Sequence, residues 1–70
     1  MNAAAATEKL IANRVRSGAN EAQARNELSG LVARAHSAAI LAIDLSAELF
    51  CTRPASQKYA EALLGSEVSA

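Results

Sequence analysis

Ala24, Leu28, Leu31, Ala35, Ala38, Ala42, Leu45 and Leu49 follow one another at spacings of 4, 3, 4, 3, 4, 3 and 4. A mean step of 3.5 residues is the signature of a helix with one apolar seam. Val32, Ala39, Ile43 and Phe50 widen the seam, and Ser29, Ser37, Asp44 and Glu48 fall on the opposite side. No proline lies inside the stretch, and no capping pattern follows its one glycine, Gly30. The pattern therefore predicts a single amphipathic helix over residues 21–51. At 1.5 Å per residue it would be about 45 Å long, against roughly 11–12 residues for a mean globular helix.

Two breaks flank it. Gly18, in Ser17-Gly18-Ala19-Asn20, suits the left-handed position past a helix end, and Asn20 suits an N-cap with Gln23 three residues on. At Cys51-Thr52-Arg53-Pro54, Thr52 or Arg53 caps a new helix with Pro54 in its first turn. The expected fold is one all-α domain over residues 1–70. It has a short helix near 4–17, the long central helix, a short helix near 54–64 ended by Gly65, and a frayed tail over 66–70. No internal repeat is present.

The central helix needs cover. Of 36 hydrophobic residues, 18 are alanine, and only Phe50 and Tyr59 are aromatic, so large apolar groups are few for a chain of marginal size. One cysteine and one histidine leave little scope for disulfides or zinc, which points to oligomerisation. Leucines at the ends of the stripe and alanines at its waist fit two copies crossing near residue 38. The expected dimer is an antiparallel bundle built on Leu28, Leu31, Ala35, Ala38, Ala42, Leu45 and Leu49. Residues 1–35 carry a net charge of +2 and residues 36–70 a net charge of −2. An antiparallel pair then sets Arg34 of one copy near Asp44 of the other. Such surface pairs, about 0–1 kcal/mol each, choose orientation rather than supply affinity. The alternative is a stripe closing on its own chain, on Ala4, Leu10, Ile11 and Val15 of the first helix and Tyr59, Ala60, Leu63 and Leu64 of the last. Ile40 and Leu41 lie outside the stripe and need a further contact.

Chemistry-bearing motifs are scarce. His36 has no second histidine and no carboxylate three or four residues away. Cys51 reads as a small half-buried hydrophobe at a corner, and Asp44 with Glu48 as a solvated acid pair. The sequence contains no phosphate loop, nucleophile elbow or metal motif, and no cofactor is implied. The apolar stretch 38–43 is far short of a membrane span, and with no visible secretory signal the expected location is the cytoplasm. The expectation is a non-enzymatic, homodimeric interaction module that binds a target protein and regulates or inhibits its activity or assembly. Arg14, Arg16, Ile40, Leu41 and Tyr59 are the candidate target contacts, an aromatic and arginines beside apolar residues being common in hot spots. The alternative is a nucleic-acid-binding regulator with a basic surface from the first helix and the start of the second.

Overall fold

The computed structural model describes residues 1–68, and the side chains of residues 1–64. It holds four helices: α1 (Ala3–Arg16), α2 (Glu21–Arg34), α3 (Ala38–Ala47) and α4 (Arg53–Val68). The long central helix of the sequence reading is two helices. The chain passes through Gly30 without interruption and breaks at Ala35, whose backbone turns extended (φ −74, ψ 128). Ser37, also extended, starts α3: its side-chain oxygen accepts the amide of Ile40 at 3.3 Å, and its carbonyl accepts the amide of Leu41 at 3.1 Å.

Helix propensity argues against a break here, since Arg34-Ala35-His36-Ser37-Ala38 contains neither Gly nor Pro. Packing overrides it. A straight helix of about 45 Å exceeds the 34 Å longest dimension of the molecule and would hold Leu41 and Leu45 far from Leu28 and Leu31. Breaking it forfeits a few backbone bonds, each worth about 1 kcal/mol net, and the Ser37 cap returns about 1 kcal/mol. Folding α3 back brings all four leucines into one core, and each buried leucine contributes about 1.5–3 kcal/mol.

The other helix ends follow local rules. Asn2 and Asn20 cap α1 and α2 by accepting the amides of Ala5 at 2.8 Å and Gln23 at 3.2 Å. Past α1, the Gly18 and Ala19 amides return to the Val15 and Arg14 carbonyls, a Schellman motif with Gly18 at φ +109. The same motif closes α3: Leu49 and Phe50 donate to the Ser46 and Leu45 carbonyls. Here the left-handed position is taken by Leu49 at φ +65, not by glycine. Its side chain is 63% exposed, while Phe50 is fully buried. Pro54 falls in the first turn of α4 as expected, but α4 continues past Gly65 to Val68. Of the expected tail over 66–70, residues 69 and 70 lie outside the described residues.

The helices pack in a ring, α1 on α2, α2 on α3, α3 on α4 and α4 on α1, with the α3–α4 contact the most extensive. Each contributes a buried alanine (Ala6, Ala24, Ala42, Ala60), and small side chains there let backbones approach. Leu10, Leu41, Leu45 and Phe50 are fully enclosed. The radius of gyration of 10.8 Å matches the roughly 11 Å of a compact single chain of this length.

Two substitutions test these local terms. Leu49→Gly relieves a left-handed leucine that costs about 1–2 kcal/mol and gives up little burial, so urea unfolding should show stability raised by about 1 kcal/mol; a loss of stability would show that the exposed leucine packs. Ser37→Ala should lower stability by about 1 kcal/mol, and an unchanged midpoint would contradict the cap that starts α3.

Candidate interaction surface

α3 differs from its neighbours in having one charged residue, Asp44, among ten otherwise apolar or small ones. Its inward side, Leu41, Ala42 and Leu45, is buried. Its outward side is apolar as well: Ile40 is 44% exposed and Ile43 63% exposed, with Ala39 and Ala47 exposed beside them. A helix that is apolar all round is ordinarily covered all round. Here α2 and α4 cover one side.

Next to Ile43 a cleft of about 340 Å³ opens between α3 and α4, lined by Ala39, Ala42, Ile43, Ser46, Arg53 and Gln57. Ile43 forms part of its wall, and Ile40 stands outside it. Charge along α3 runs against the helix dipole. Asp44 and Glu48 stand at the C-terminal end with no basic residue in the last turn, and the first turn has no acid. Charges so placed cost roughly 0.3–1 kcal/mol each. Arg34 and His36 sit before the N-terminus, both exposed.

The residues named from sequence separate into groups. Leu28, Leu31, Ala42 and Leu45 lie in the core of the single chain, with Ala35 and Ala38 packed half-buried against it; Leu49 alone of the stripe points outward. They share no straight seam, because the break at Ala35 separates two of the leucines from the others. Arg34 and Asp44 form no ion pair among the described residues; Arg34 instead lines a cleft with Asn26, Glu27 and Glu48 of the same chain. Of the candidate target contacts, Leu41 and Tyr59 are buried in the core, Ile40 is exposed, and Arg14 and Arg16 sit at the end of α1. Of the first-helix residues expected to cover the stripe, Leu10 and Ile11 are buried, whereas Val15 is 40% exposed and Ala4 is exposed. Ile43, the most exposed large hydrophobic residue of α3, falls on the flank of the stripe in the sequence pattern. The break at Ala35 rotates α3 out of register with α2, and period alone carried no sign of it.

Two arginines, Arg14 and Arg25, are ion-paired. Arg25 grips both carboxylate oxygens of Glu8 at 2.9 Å and meets Glu21 at 3.0 Å, tying α2 to α1. Arg14 lies 3.7 Å from Glu27, its Nε buried without a hydrogen-bond partner. The Cys51 thiol is free, and burial pushes its pKa up, which keeps it protonated and weakly nucleophilic at neutral pH. Among the described residues no group of three or more His, Cys, Asp or Glu is placed to hold a metal, and no helix is long and apolar enough to cross a membrane.

Hydrogen bonds from Arg25, then its charge, hold the Glu8 carboxyl below its ordinary value. A depressed folded-state pKa stabilises the fold above the unfolded value of about 4.3, and that contribution is lost as pH falls through the folded value. Carboxyl NMR titration should place the Glu8 midpoint below 4.3 and return it toward that value in Arg25→Gln; an unmoved midpoint would show that the pair does not form in solution.

No family model matches the sequence, and no curated protein or solved structure shows significant similarity to it.

Proposed function

We propose that this chain is a small non-enzymatic protein–protein interaction module that seats an apolar surface of another polypeptide on the outward side of α3, and so regulates or inhibits that partner's activity or assembly. The observation that carries this reading is the exposure of Ile40 and Ile43 on a helix whose other side already fills the core. Scattered exposed aliphatics need no explanation. Two on successive turns of one helix, beside an open cleft, form a patch of the kind that marks contact surfaces. Ile40 remains a target contact from the sequence reading, and Ile43 takes the place of buried Leu41 and Tyr59.

On the surface the nucleic-acid alternative invokes, two of the four cations are paired among the described residues, and Lys9 and Arg16 are not. Arg25 is held by Glu8 and Glu21 and Arg14 faces Glu27, which leaves Lys9 and Arg16 to displace counterions, fewer than the roughly six to ten phosphate contacts of a strong binder.

Site-specific photocrosslinking in cells that naturally express the protein tests the reading. A photoreactive residue at Ile43 should give discrete adducts of defined mass, and the same residue at Ala5, exposed on α1, should not. Equal patterns at the two positions, or none at Ile43, would remove α3 as the contact surface.

A further inference from the structure

We infer that the surface of α3 is self-complementary and that its partner is a second copy of this chain, docked antiparallel across a two-fold axis between Ile40 and Ile43. This rests on the reading of α3 as the contact surface and names its occupant. It also moves the dimer away from the 28–49 stripe, which the chain's own core consumes.

Shape is the first argument. A two-fold interface needs a patch that complements itself. α3 supplies both halves: Ile40 protrudes, and the cleft between α3 and α4 at Ile43, Ser46 and Gln57 receives. With two α3 helices antiparallel about the midpoint of residues 40 and 43, Ile40 of each copy stands level with Ile43 of the other and beside its cleft. Ala39 and Ala47, at the two ends of the patch, are small enough for the backbones to approach.

Charge is the second. Asp44 and Glu48 sit at the negative end of their own helix dipole, where they are disfavoured, and no acid serves the positive end. An antiparallel copy corrects both faults. The acids of each α3 move toward the N-terminal end of the other, where Arg34 and His36 also lie. A parallel pair would set Asp44 beside Asp44 and align the dipoles.

The contact is small. A stable complex buries about 800 Å² per partner, close to a fifth of the 4343 Å² surface of this chain, and α3 spans only about 15 Å. The expected dissociation constant is therefore on the order of micromolar.

Sedimentation equilibrium from about 0.1 to 100 μM, a range that brackets a micromolar constant, tests the pairing. The mass should rise from 7.2 kDa to twice that value. Ile43→Glu, at an exposed site that leaves the helical circular dichroism intact, should weaken association about tenfold or more, and Asp44→Lys about threefold at low salt. Ala12→Glu, exposed on α1, should leave it unchanged. A mass of 7.2 kDa throughout, or a dimer indifferent to Ile43→Glu, overturns the self-pairing. If the chain stays monomeric while the Ile43 photoadduct persists with the mass of a different protein, the interaction reading survives without it; if the adduct is also absent, both fall.

Discussion

Three residues of extended and turning backbone between Arg34 and Ala38 decide what this chain is. With them, Leu28 and Leu31 of α2 meet Leu41 and Leu45 of α3 in one core. Without them, those leucines would lie along a rod longer than the molecule itself and would need a second chain to cover them. The Ser37 side chain, bound to the Ile40 amide, makes the interruption affordable but does not drive it. The driving term is the burial of large aliphatics, which in a chain with 18 alanines are too few to leave outside.

The break also exposes what the chain cannot bury. Turning α3 back on α2 directs Leu41, Ala42 and Leu45 inward, and the helical period then forces Ile40 and Ile43 outward. A ten-residue helix with eight apolar groups around its circumference and one charge is built for contact on both sides. Four helices in a ring cover only one of them. The functional proposal is therefore the remainder of the folding argument: apolar surface that the core has no room for is left for a partner.

Much of this was legible in the residues, and the failures are instructive. Gly18, Asn20 and Pro54 announce their breaks because each has a conformational property that a helix interior rejects or an end requires. Ser37 announces nothing: between His36 and Ala38, with Ile40 rather than Glu or Gln at the third helical position, it reads equally well as a polar residue on a helix face. Leu49 is similar, a good helix former in a left-handed turn that Gly18 would have made obvious. Three leucines of the stripe, Leu28, Leu31 and Leu45, are buried as the period implies, within one chain rather than between two, and Leu49 is exposed. A 3.5-residue period records which side of a helix is apolar, and it does not record whether the helix continues. The large apolar residues that α3 leaves exposed are accordingly Ile40 and Ile43, while Ala42 is buried.

The central claim is that α2 and α3 fold back on each other, and one distance tests it. Asn26 and Glu48 line a single cleft, both are exposed, and they are separated by 22 positions in the chain. Spin labels at these positions should be about 20 Å apart or less in pulsed dipolar spectroscopy, in line with the 20 Å short dimension of the molecule. A distribution centred at roughly 33 Å, the length of an unbroken helix over that span, would restore the rod and contradict the account.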